Sequence, residues 1–225
     1  MEYMCGRYTL ASGIDVLKKR FNVNLDYLNI VDCYNISPTQ PVLCVLNEQG
    51  NRRAEMFKWG LIPSWSNDLS TGNRMINARE DTVAVKPTFK PLLAKRRCLI
   101  LADGFYEWKQ KETGKVPMRI VLKNQTPFAF AGLWTEWISP AKEAIRSCTI
   151  ITTEPNSLVK SIHNRMPVIL SEEAELLWLD PLMNDSNVLK EVLVPFPAES
   201  MEAYPVSKLG NSPKNDNPAC IVPFS

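Results

Sequence analysis

The chain has 225 residues, 45% hydrophobic and 22% charged, with 17 Pro, 9 Gly, six Cys and a single His, and a formal charge of +2. That is apolar material for one sizeable core, and it excludes a disordered chain. The lack of any run of about 18 apolar residues excludes a transmembrane helix, and the opening MEYMCGRYTL lacks the basic and apolar regions of a secretory signal, so the expected compartment is the cytoplasm.

Taken in chain order, the pattern is mostly β with a few helices. Ser12 is placed to cap a short helix, because Ile14, Leu17 and Phe21 follow at helical spacing. Val42–Leu46 and Arg52–Trp59 read as strands joined by a turn at Asn47–Asn51. Gly60–Arg74 is a loop rich in Trp, Pro, Ser and Asn, and short helices are expected over Arg79–Val85 and Thr88–Ala94. Strands are then expected at Arg97–Ala102, Phe105–Gln110, Pro117–Leu122, Phe128–Trp134 and Ser147–Thr152, with turn signals between several of them. Ser171 followed by Glu172 and Glu173 opens a helix running through Trp178, Asp185–Leu193 is another, and a strand is expected at Ala203–Ser207. The expected fold is one α+β domain over residues 1–225, with an antiparallel, barrel-like β core and peripheral helices.

The small net charge averages two unlike halves. Residues 1–125 hold 19 Lys/Arg against 12 Asp/Glu, net +7, and residues 126–225 hold 7 against 12, net −5. Such a split suits an anionic partner on one face and equally a solvated surface. The cysteines lie 28, 11, 54, 50 and 72 residues apart, with no CxxC pair, and one histidine excludes centres built from two or more. No metal and no organic cofactor is expected. Cys44, Cys98 and Cys148 sit in apolar β-like runs and read as small core residues.

Cys5 differs, because it follows Met4 in polar surroundings. If Met4 is the effective start, its removal leaves an N-terminal cysteine. Such a residue carries an amine of pKa ~8 and a thiol of ~8.5 on adjacent carbons. The amine forms a Schiff base with an aldehyde, and the thiol closes on the imine carbon to give a thiazolidine, the second step being effectively unimolecular. The plainer alternative is an ordinary cysteine near a terminus. Asn77 and Arg79 in MINARED offer a neutral amide and a bidentate phosphate clamp, or simply a helix start with a surface arginine. Glu107 in ADGFYEWK lies between two aromatics. In a partly apolar cleft its pKa would rise toward the range of a general acid–base, whereas on an exposed face it would be solvated. His163, in the turn-like segment SIHNRMPVIL, is the only side chain whose ordinary pKa lies near neutrality, and a lone histidine is also often structural. The loops YNISPTQ and WGLIPSW place Pro and aromatics near arginines, as a stacking platform for nucleic acid would. Trp59 in the second loop reads as core.

MCGRYTL, YNISPTQ, WGLIPSW, MINARED, FKPLL, ADGFYEWK and IHNRMPVIL follow the order and approximate spacing of the SOS-response-associated peptidase (SRAP) family. The resemblance runs from Cys5 to about Val206 and points to a bacterial or phage member. It implies a single α+β domain with a barrel-like core. It also implies recognition of abasic sites in single-stranded DNA, notably at replication forks, by a soluble protein that would associate with the nucleoid during repair. The ring-opened sugar would join Cys5 as a thiazolidine, with Asn77, Glu107 and His163 completing the site. Arg7, Asn35, Trp65, Arg79 and Arg165 fall at positions expected to bind or wedge DNA. The peptidase label then describes removal of the residues before Cys5, and β-elimination from the imine gives a weak lyase side path. A monomer with no membrane partner is expected. Two departures stand out: Met1-Glu2-Tyr3 precede Met4, and Ser66 follows Trp65 where some relatives carry a second aromatic. A thiol peptidase using Cys5 and His163, or a non-covalent nucleic-acid reader, are the competing readings.

Overall fold

The computed structural model describes residues 5–224. In chain order these form β1 (Tyr8–Leu10), α1 (Ile14–Phe21), β2 (Cys33–Ile36), β3 (Pro41–Glu48), β4 (Asn51–Trp59), β5 (Asn77–Arg79), α2 (Glu80–Val83), α3 (Lys90–Lys95), β6 (Arg97–Ala102), β7 (Gly104–Lys111), β8 (Gly114–Leu122), β9 (Phe128–Ile138) and β10 (Ala144–Thr153). There follow α4 (Ser157–Lys160), β11 (Met166–Pro167), β12 (Ile169–Leu170), α5 (Glu172–Leu179), α6 (Ser186–Glu191) and β13 (Met201–Pro205).

The strands make two β systems. In the first, β3 pairs with β4 and β6, β6 with β9, and β9 with β10, all antiparallel; β10 then returns to β4 and closes a five-stranded barrel. That closing contact is parallel and short, Ser147 and Cys148 lying against Lys58 and Trp59. The short β5 also joins β10 in parallel. The antiparallel core expected from sequence is thus antiparallel except where β10 meets β4 and β5. The second system is an antiparallel sheet in the order β13-β8-β7-β1-β2. The two share one core: Tyr8 of β1 packs edge-on against Trp59 of β4 and Phe130 of β9, with ring centroids 5.2 and 5.5 Å apart.

Local chemistry explains the elements. RCLILA makes β6, and all six of its residues are buried, because neither face of this barrel strand meets water. Gly132 on β9 faces β6 so closely that a Cβ would meet Cys98 Sγ and the Ile100 side chain at 2.8 Å. Asn47–Asn51 turns through Gln49 at φ +52° and Gly50 at φ +88°, and Asn47 Oδ1 accepts from the Gly50 N–H, as the sequence signal implied. Ser171 caps α5 and Asp185 caps α6.

Ser12 does not cap α1. Gly13 holds that position with no side-chain bond, because the Ser12 hydroxyl donates instead to Asp103. Asp103 also accepts from Thr9 Oγ1, the Ala11 N–H and Arg119, and so ties β1 to β7 and β8. Cys44, Cys98 and Cys148 are fully buried core thiols, as expected.

Candidate active site and nucleic-acid face

The site forms where the two β systems meet. The second sheet supplies Cys5 and Glu107. Cys5 stands three residues before Tyr8, where β1 begins, in a left-handed backbone conformation of φ +43° that is uncommon for a non-glycine residue. Pairing of Tyr8 with Phe105 and Thr9 with Gly104 brings the chain before β1 alongside β7, and Arg7 accepts the Tyr106 N–H. Cys5 N therefore lies 2.9 Å from Glu107 Oε1 and donates to it. Glu107 is 2% exposed and Cys5 3% exposed, so the solvated alternative for Glu107 does not hold. Residues 1–4, on which the leader reading depends, lie outside the described residues.

The charge environment of the thiol is set by the same neighbours. Burial pushes the Cys5 thiol well above its ordinary pKa, the Glu107 carboxylate and its hydrogen bond push it further, and the Arg165 guanidinium opposes them. The thiol is therefore protonated at neutral pH, beside a carboxylate able to take its proton.

On the barrel side, the Arg165 guanidinium is the group whose charge reaches the Cys5 thiol. Asn77 and Arg79 lie on β5, aligned with Ile150 and Thr152 of β10. β11 pairs with the end of β10, Pro167 against Thr152 and Met166 against Thr153, and so fixes Arg165 just before it. The Arg165 guanidinium ion-pairs with Glu80 and donates to the Thr152 carbonyl at 2.7 Å, while its Nε lies buried with no partner. His163 sits on the turn after α4, its N–H bonded to Val159 O at 2.8 Å. The Arg165 backbone N–H donates to His163 Nδ1 at 3.2 Å, which leaves Nε2 for an outside partner. Arg79 is exposed and paired with Asp81 at 2.6 Å.

The loops named from sequence divide. Trp65 is 71% exposed, whereas Trp59 is buried with Nε1 donating to the Ile76 carbonyl. Ser66 does not stand beside Trp65 as a weakened second wedge. It is buried, its hydroxyl donates to the Asp68 carbonyl, and its own carbonyl accepts from Trp137 Nε1 at 2.6 Å. Asn35 is 1% exposed and holds the Ser212 and Asn215 carbonyls with its amide, while its Oδ1 accepts from Arg7. Both residues therefore anchor the C-terminal strand of chain, Arg7 also reaching the Gly210 carbonyl at 2.7 Å. In this arrangement Asn35 is not a surface contact: a buried amide with satisfied partners supports the face from beneath.

Three residues to which the sequence gives no role of their own lie nearby. Glu80 holds Arg165. Tyr106, opposite Glu107 across the strand, donates to the Tyr34 carbonyl at 2.7 Å, and Trp108 donates to Asn211 at 2.8 Å. A cavity of about 400 Å³ opens beside Gly6 and Arg7, walled by Pro38, Thr39, Trp108 and Pro213. It gives the Cys5 segment an open neighbour large enough for a nucleotide fragment.

The site thus joins a buried cysteine, whose nitrogen and sulfur both meet a buried carboxylate, to an arginine with a buried, unpartnered Nε–H. Sequence comparison gives the lineage: the chain belongs to the SOS response associated peptidase (SRAP) family, whose model matches residues 4–213. It is 47% identical over 221 residues to the abasic site processing protein YoqW of Bacillus subtilis, covering 97% of this chain and 99% of that protein. It is 34% identical over 196 residues to the abasic site processing protein HMCES of Gallus gallus, covering 75% of this chain and 56% of that protein. A crystal structure of a Bacteroides thetaiotaomicron protein superposes with a TM-score of 0.88 at 27% identity, over 98% of this chain and all of that one.

Proposed function

We propose that the protein processes abasic sites in single-stranded DNA by crosslinking to the ring-opened sugar through Cys5, once the residues before Cys5 have been removed. The observation that carries this reading is the 2.9 Å contact between Cys5 N and Glu107 Oε1 in a buried junction. In the shortened chain that nitrogen is an α-amine. Glu107 accepts its proton, and the amine attacks the sugar aldehyde and expels water to form an imine. The thiol then adds to the imine carbon. Its proton passes by way of Glu107 to the nitrogen, and the product is a thiazolidine. Overall, protein and DNA join with loss of one water.

The remaining roles follow position. Arg165, with a buried and unpartnered Nε–H, binds a phosphate or sugar oxygen. Asn77 orients the amine or sugar from β5, and His163 Nε2 exchanges a proton at the sugar oxygen. Trp65 stacks on or wedges between bases, and Arg79 contacts backbone phosphate. Arg7 and Asn35 hold the strap that walls the adjoining cavity. Slow β-elimination from the imine is a side path, and fork DNA, a monomeric state and nucleoid association during repair belong to the same reading.

A thiol peptidase acting through Cys5 and His163 is disfavoured. Nucleophilic protease cysteines have thiol pKa values lowered by a cationic neighbour, whereas this thiol is pushed up by burial and by Glu107. The test is a denaturing gel after incubating processed protein with single-stranded DNA containing one abasic site. A shifted band that is lost in Cys5→Ala supports crosslinking; peptide hydrolysis with no shifted band supports the peptidase.

A further inference from the structure

Part of the basic charge between Arg52 and Arg97 is compensated within the fold. Arg52 donates to the Phe21 carbonyl and faces Glu175, and Arg53 pairs with Glu48 and Glu55. Lys95 and Arg96 are different: both are exposed, and neither makes an ion pair or hydrogen bond through its side chain among the described residues. They stand at the mouth of a cavity of about 380 Å³ whose apolar side is Trp178, Leu179 and Pro181. The Arg96 guanidinium lies 4.3 Å from the Trp134 ring centroid, and Arg146 lies 5.3 Å from the same ring.

Two helices end behind these cations. Arg97, buried between α3 and α5, donates to the carbonyls of Leu93 and Ala94 on one side and of Trp178 and Asp180 on the other, at 2.6–2.7 Å. It cancels the exposed carbonyl ends of both helices. Lys95 and Arg96 are therefore left without a carboxylate partner beside a hollow whose lining mixes polar and apolar groups.

We propose that this cavity is a docking site for a short acidic peptide segment of a partner protein, in which carboxylates adjoin an apolar side chain. The carboxylates would engage Lys95 and Arg96, and the apolar side chain would rest on the exposed Pro181. A nucleic-acid strand fits less well. Glu48 lines the opening together with Arg146, which pairs with Glu55 and Glu136, and a continuous polyanion would have to pass these carboxylates. A compact anion does not. The site is also remote from the lesion site: Arg146 precedes Thr152, the partner of Arg165, by six residues on β10, about 20 Å at strand rise. A partner docked here leaves the Cys5 face open, so the inference stands apart from the crosslinking reading.

The test is fluorescence anisotropy with fluorescein-labelled Glu-Asp-Glu-Leu-Phe at about 0.1 M salt, where surface charges farther apart than ~10 Å are screened. Saturable binding is expected. It should weaken at least tenfold for a Gln-Asn-Gln-Leu-Phe control and for the Lys95→Glu/Arg96→Glu variant. Glu48→Lys, which adds a cation at the rim, should tighten it severalfold. Crosslinking to abasic DNA and the melting temperature of the Lys95→Glu/Arg96→Glu variant should match the parent. Absence of saturable binding, equal binding of the neutral peptide, or displacement of the peptide by oligothymidylate with the same tenfold loss in the variant would overturn the proposal, the last by making the cavity a nucleic-acid contact.

Discussion

Glu107 carries the largest share of the proposed chemistry at the scale of single residues, and its effect on Cys5 has a definite sign. A negative carboxylate beside a buried thiol raises the pH at which the thiolate forms. Glu107→Gln removes that charge, so the Cys5 thiol should titrate lower and be alkylated by iodoacetamide faster at pH 8 than in the parent. Crosslinking should nevertheless fall, because the base is gone. Equal or slower alkylation would show that Glu107 does not control the thiol. Glu80→Ala frees Arg165 from its ion pair and should weaken binding of abasic single-stranded DNA roughly tenfold, about 1.4 kcal/mol, by anisotropy. Trp65→Ala removes an exposed ring and should cost about 1–3 kcal/mol of DNA binding with no change in melting temperature. A loss of stability instead would mean that Trp65 packs within the protein. Cys5, Glu107 and His163 stand out by their chemistry, but each also admits a plain structural reading, and it is the order of the motifs that gathers them into one candidate site. Asn35 falls at a position that the resemblance expects to bind DNA, and the structure buries it. The tail that buries it is some 180 residues away in sequence, and no local pattern signals such a contact.

At the scale of elements, the exposed loop that carries Trp65 depends on two glycines touching back to back. A Cβ on Gly60 would meet the Gly72 carbonyl oxygen at 2.6 Å, and one on Gly72 would meet the Gly60 carbonyl oxygen at 2.5 Å, backbone against backbone. Gly60 also sits at φ +127°, which side-chain-bearing residues rarely adopt. Gly72→Ala should therefore cost about 2–3 kcal/mol, a drop of roughly 5–10 °C in melting temperature for a chain of this length, measured by calorimetry. An unchanged melting temperature would show that the loop is not held by this contact. The long strands β3, β4 and β6–β10 were readable from apolar runs and turn residues, with ends shifted by a few positions. β1, β2, β11 and β12 were not, because strands of two to four residues hold too few alternations to form a pattern. These short pieces build the site: β1 aligns the Cys5 segment with Glu107, and β11 fixes Arg165.

For the whole molecule, the barrel and the second sheet each place one half of the site, and the Tyr8–Trp59–Phe130 contacts hold the halves together. The basic residues of the first half take several different places in the fold. Arg52 and Arg53 face carboxylates, Arg97 is held by backbone carbonyls, and Lys95 with Arg96 project at a second cavity. The order of the motifs pointed to the family and the α+β barrel, while the parallel closure of β10 on β4 rests on two residue pairs that no sequence signal marks. Covalent capture is tested most directly by intact mass spectrometry and peptide mapping of protein, begun at Cys5, after incubation with a single-stranded oligonucleotide carrying one abasic site. The expected product has the summed mass of protein and DNA less one water, maps to Cys5, and needs no borohydride to survive denaturation, as a thiazolidine would. An adduct on another residue, one trapped only by borohydride, or free protein alone would contradict it.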